Sequence, residues 1–121
     1  MAVETLDSIK IRLREFASER DWEQFHSPKN LAMALIVEAA ELVEHFQWLT
    51  EAESQGLSPE RKAEVGQEIA DIQIYLVRLA DRLGIDIEQA VSAKIELNAR
   101  KYPVDRVRGR AVKYNECDDG C

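Results

Sequence analysis

The chain has 121 residues, 45% of them hydrophobic and 32% charged, and a net charge of -7. That length suits one domain, the charge argues against a nucleic-acid surface, and no apolar run approaches the ~20 residues of a membrane span. Residues 1–10 lack the basic-then-apolar pattern of a signal peptide, so a cytoplasmic protein is expected.

Leu6, Ile9, Leu13, Phe16 and Ala17 recur at steps of three and four. The spacing predicts a first helix over about 5–20. Residues 21–29 (DWEQFHSPK) break the period. Ser27-Pro28 is a cap followed by proline at the first helical position, which starts a second helix over about 28–50. A polar stretch, 51–57, follows. Ser58-Pro59 repeats the start signal for a third helix over 59–83, and Gly84 suits its C-terminal cap. Asp86 with Gln89 resembles a capping box for a fourth helix, which ends near Lys101 before Pro103. No segment has the two-residue period of a strand. The expected fold is all-α and four-helix-bundle-like, with a domain over 1–103 and an arm or disordered tail over 104–121. Cys117 and Cys121 sit in that tail and are expected to be free thiols rather than a disulfide framework.

The second and third helices carry acids where apolar residues belong. On a helical wheel, Leu31, Leu35 and Leu42 fall within about 60° of Glu38 on one side, and Ala34 and Glu41 within about 60° on the other. Around Glu68 lie Val65, Ile72, Tyr75 and Leu79, with Asp71 about 60° away. Each helix thus offers two carboxylates at i and i+3 from an apolar stripe. One such pair is usually a solvated face. Two pairs on neighbouring stripes need a cation to offset their burial. Few Lys or Arg share these stripes; Arg61 and Arg82 lie a turn and a half or more from Asp71. A hard divalent cation with oxygen ligands, Mg²⁺, fits better and would take phosphate oxygens to complete its octahedron. A di-iron bundle wants Glu-x-x-His on its helices; His45 follows Leu42 instead, and Glu23 with His26 has the spacing only in the segment that breaks the helical period, so di-iron ranks low.

The motif pair Glu38-Ala-Ala-Glu41 and Glu68-Ile-Ala-Asp71 resembles the signature of the MazG-like all-α nucleoside triphosphate pyrophosphohydrolases, and within them the dCTP pyrophosphatase subgroup. Residues 20–31 (RDWEQFHSPKNL), Phe46-Gln47-Trp48 and 94–103 (KIELNARKYP) strengthen the likeness, which covers about 5–103. The resemblance implies that Glu38, Glu41, Glu68 and Asp71 bind Mg²⁺. It implies that Trp22, Trp48 and Tyr75 line a nucleotide pocket, and that Lys94, Asn98, Arg100 and Lys101 reach the phosphates. His26 is either a further substrate contact or a residue that orders its loop. The resemblance favours dCTP as substrate; the dCTP-selective animal members carry a base-contacting histidine on the first helix, where this chain has Leu13, which opens a broader deoxynucleotide preference with dATP as an alternative.

The expected reaction is hydrolysis of a dNTP to monophosphate and pyrophosphate, with Glu38 and Glu41 at its centre and Glu41 the first candidate to help deprotonate the water. The resemblance implies nucleotide-pool cleansing as the role and a homo-oligomer, at least a dimer and as a dimer of dimers a tetramer, with no nucleic-acid or membrane partner. The competing reading is a non-catalytic helical module whose acids bind a basic partner or a structural cation.

Overall fold

The computed structural model describes residues 3–111, and every regular element among them is helical. Helix α1 spans Leu6–Glu19. Its start is a reciprocal capping box, in which the Thr5 hydroxyl accepts from the Ser8 amide (3.1 Å) and the Ser8 hydroxyl accepts from the Thr5 amide (2.8 Å). Asp21 takes a left-handed backbone (φ 54°), and the segment that breaks the period folds into a single 3-10 turn, Glu23–Phe25.

Helix α2 spans Pro28–Glu44, with Ser27 Oγ accepting from the Asn30 amide at 3.1 Å. It ends earlier than its apolar pattern suggests. Residues 45–49 form turns closed by short-range bonds, including Leu49 N–H to Phe46 C=O at 2.9 Å. The polar stretch 51–57, to which the sequence assigned no element, holds a short helix, α3 (Glu51–Gln55). Thr50 and Glu53 form its capping box, the Thr-x-x-Glu spacing that marks a helix start.

Helix α4 spans Pro59–Leu83, with its Ser58 cap as expected. Gly84 (φ 68°) supplies the left-handed residue at its end, where Ile85 N–H bonds Ala80 C=O at 2.8 Å. Helix α5 spans Ile87–Lys101. Asp86 accepts from the Gln89 amide at 3.0 Å, so only the Asp86 half of the expected box is formed. The expected arm begins with a one-turn helix, α6 (Val104–Val107). Cys117 and Cys121 lie outside the described residues. No helix among the described residues is long and apolar enough to cross a membrane.

The residues up to Ile85 form one compact unit and those from Asp86 onward another. In the first, α2 lies along α4 in the most extensive pairing, and α1 packs on α4 as well. Among the described residues the buried apolar side chains are few: Ala17, Leu31, Val65, Val77 and Ala80. On the side of α2 away from Glu38, Met33, Ile36, Val37 and Val43 are each more than half exposed. In the second unit, the α5 residues 91–100 are all exposed.

One charged network crosses the first unit. Arg14 on α1 donates to Asp81 on α4 through Nε (2.7 Å) and Nη2. Asp81 also faces the buried Arg78 (Nη1 to Oδ2, 3.5 Å), whose Nε donates to His26 Nδ1 at 3.3 Å. The network ties the 20–27 segment to α4. The Arg14 guanidinium holds the Asp81 carboxyl below its ordinary range. Burial, then the charge of Arg78, holds the His26 imidazolium below its ordinary value.

Candidate active site

The middle of α2 and the middle of α4 meet, and this brings Glu38, Glu41 and Glu68 together. One carboxylate oxygen from each lies within 4.8 Å of the others, and all three side chains are half-buried. The i, i+3 spacing puts Glu38 and Glu41 on one stripe of α2. The apolar neighbours on that stripe, Leu31, Leu35 and Leu42, turn it inward.

The cluster is electrostatically strained without a cation. Glu38 Oε2 and Glu68 Oε2 are buried and accept no hydrogen bond. Buried polar oxygens are ordinarily satisfied, so two orphaned acceptors on residues of one cluster need a reason. Burial, then the neighbouring Glu41, pushes the Glu38 carboxyl up to about 7 from 4.5. Glu68 is raised for the same reasons in the same order. Three convergent oxygen donors with surplus negative charge fit a hard divalent cation.

Asp71, the fourth expected ligand, is half-buried on α4 but is not among the three mutually close acids. Its charge nevertheless raises both Glu38 and Glu68. Tyr75 is half-buried one turn beyond Asp71 on the same helix.

The expected aromatic contacts differ in their setting. Trp22 is 44% exposed and packs edge-on against Phe16 (ring centroids 5.7 Å) and His26 (6.4 Å). Trp48 is 87% exposed in the turns after α2. Of the phosphate candidates, Lys94, Asn98 and Arg100 are exposed on α5, and Lys101 is half-buried at its end. All four belong to the second unit.

Leu13 has a setting that the sequence did not disclose. It lines a groove of about 480 Å³ between α1 and α4, with Ile9, Phe16, Ala70, Gln73 and Ile74. Ala70, Gln73 and Ile74 lie about 120–160° around α4 from Glu68. The groove includes none of the three clustered acids, so within one chain Leu13 and the cluster open on different faces of α4.

His45 carries no Glu-x-x-His signal in the sequence, since Leu42 precedes it by three. The fold brings it beside the cluster, with Nε2 3.9 Å from Glu68 Oε1. The signal was present in its spacing from Glu41, four residues and one helical turn.

A helical chain with convergent carboxylates on two paired helices defines a class, and comparison with known proteins names it. The MazG-like family matches residues 33–117. The chain belongs to that family. It is 48% identical to dCTP pyrophosphatase 1 of Bos taurus over 118 residues, covering 96% of this chain and 70% of that protein. The corresponding Homo sapiens protein is 47% identical, with 96% and 69% covered. A crystal structure of a pyrophosphatase from Archaeoglobus fulgidus superposes with a TM-score of 0.78 at 42% identity, covering 85% of this chain and 96% of that one. The all-α MazG-type fold expected from the sequence is therefore the fold observed.

Proposed function

We propose that this chain hydrolyses deoxynucleoside triphosphates to the monophosphate and pyrophosphate, with dCTP among its substrates. The observation that carries the reading is the trio Glu38, Glu41 and Glu68, with two oxygens buried and unpaired. The pyrophosphatase names of its relatives support the reaction. A module that binds a basic partner through a solvated acidic face gains nothing from carboxylates buried in this way, and a module with a structural cation is separated from the enzyme by Mg²⁺-dependent turnover.

Glu38, Glu41 and Glu68, joined by Asp71, would hold Mg²⁺. When bound, the metal supplies charge neutralisation of the triphosphate and a water of lowered pKa. Glu41 accepts the proton of the attacking water. The water oxygen bonds to the α-phosphorus, the bond from that phosphorus to the bridging oxygen breaks, and pyrophosphate leaves. Trp22, Trp48 and Tyr75 offer aromatic faces for a base or sugar, and His26 orders the Trp22 segment through Arg78. The phosphate roles of Lys94, Asn98, Arg100 and Lys101 rest on the resemblance alone. With Leu13 in place of histidine, base choice is broader than cytosine and takes in dATP.

The reading includes a homodimer at least, and a tetramer as a dimer of dimers. An α2 that is apolar on the acid side and again on Met33, Ile36, Val37 and Val43 is a helix meant to be covered on both faces. A second copy fits that face, because the few buried residues of one chain make a small core. Light scattering that returns a monomer contradicts this part.

The test is to incubate the protein with each common dNTP and NTP, with and without Mg²⁺, and to separate products by ion exchange. Monophosphate plus pyrophosphate, only with Mg²⁺, is expected. Orthophosphate as the product would move the attack to the γ-phosphorus, and no turnover of any nucleotide would overturn the reading.

A further inference from the structure

His45 has no part in the reaction as described, yet its ring lies between Glu68 of the acid cluster and the Arg61 guanidinium. It follows the last residue of α2 as the C-cap, and its backbone N–H bonds Leu42 C=O at 3.2 Å. Its side chain is 16% exposed. Nε2 faces Glu68 Oε1 at 3.9 Å. Nδ1 faces Arg61 Nη1 at 3.2 Å and, farther off, Glu64 Oε2 at 3.9 Å. Glu64 in turn lies 4.0 Å from Arg61 Nε and helps to hold that guanidinium in place.

The chemistry of these groups fixes the direction of the contacts. Arginine has five N–H donors and no acceptor, so in the Arg61 contact Nδ1 accepts. A neutral imidazole that accepts at Nδ1 carries its proton at Nε2. The Nε2–H is therefore on the side of Glu68 Oε1. The other Glu68 oxygen, Oε2, is buried and unpaired. A carboxylate with one oxygen next to a donor and the other unsatisfied has its two oxygens distinguished.

We infer that His45 is a positioning residue for Glu68: its Nε2–H faces Oε1 across 3.9 Å and draws that oxygen by electrostatic attraction rather than through a formed hydrogen bond, Oε2 is left for the cation, and Arg61 sets the tautomer that makes this possible. The inference rests on the reading of Glu38, Glu41 and Glu68 as a metal site. Groups that orient metal-ligating carboxylates in this way typically matter by about 10–100-fold in metal affinity. His45 acts through Glu68, so its effect is on how tightly the cation is held.

The experiment titrates Mn²⁺ alone into nucleotide-free protein by calorimetry, with melting curves for each variant. His45→Phe keeps a ring of similar size and removes both nitrogens, and a Kd raised by about tenfold or more is expected. His45→Gln places an amide N–H near the Nε2 position and should recover most of the affinity. His45→Asn reaches only the Nδ1 position and should not. Arg61→Met removes the donor to Nδ1 and should weaken binding by less than His45→Phe. Glu68→Gln separates the two readings. If Glu68→Gln binds Mn²⁺ as wild type does, the metal reading of the cluster fails. If Glu68→Gln binds weakly while His45→Phe binds as wild type does, the His45 inference alone is overturned. Should His45→Phe not fold, equal affinities for the Gln and Asn variants overturn it, and a tighter Gln variant supports it.

Discussion

Arg14 and Asp81, 67 residues apart, are joined by two hydrogen bonds from one guanidinium to one carboxylate, and this pair clamps α1 to the end of α4. Asp81 is also the neighbour that compensates the buried Arg78. Removing that carboxylate's charge leaves Arg78 buried and unbalanced. Asp81→Asn is therefore expected to cost about 3 kcal/mol, read as a lower urea midpoint. Arg14→Ala, at the exposed end of the pair, is expected to cost less. Because the folded Asp81 carboxyl lies below its ordinary 3.8, its stabilisation is complete above that value and is lost as pH falls further.

The acid cluster separates stability from activity. Glu41→Gln is expected to lower kcat by about 10²–10⁴-fold, the usual weight of a positioned proton acceptor, with the melting temperature of the metal-free protein retained. Glu38→Gln is also expected to abolish turnover, but to raise the metal-free melting temperature, since it removes a charge that burial disfavours. Wild-type turnover in Glu41→Gln removes that residue from the mechanism.

The raised Glu38 carboxyl makes metal-free stability depend on pH. Its folded value of about 7 exceeds the ordinary 4.5, so the folded state favours the protonated form. Stability is then full below about 4.5 and is lost as pH rises through about 7. Glu68 acts in the same direction. In EDTA, the melting temperature should fall across that window. Saturating Mg²⁺ should flatten the fall, and so should Glu38→Gln. A flat metal-free profile in the wild type would count against the burial of this carboxylate.

Gly84 permits a backbone-only test. At φ 68°, with open space where a Cβ would stand, Gly84→Ala meets no neighbour and only the left-handed penalty remains. A loss of about 1–2 kcal/mol is expected, measured by denaturant unfolding, with activity per folded molecule unchanged.

Much of the architecture was legible from local rules. Ser27-Pro28, Ser58-Pro59 and Gly84 mark helix ends because caps and left-handed glycines act within a few residues. The early end of α2 and the short α3 were missed. The apolar pattern runs on past Glu44, and the Thr50–Glu53 box lies inside a polar stretch with no apolar period to mark a helix.

By itself the sequence determined that two helices would each turn a pair of carboxylates inward, since helical period and the apolar neighbours of Glu38 and Glu68 are properties of single segments. Only the tertiary structure decided which oxygens meet. The pairing of α2 with α4 brought Glu38, Glu41 and Glu68 within 4.8 Å without Asp71, set His45 next to Glu68, and put Leu13 in a groove that holds none of the three. The physical reason is that distances between segments depend on how helices slide and rotate against one another, and no local period encodes that register.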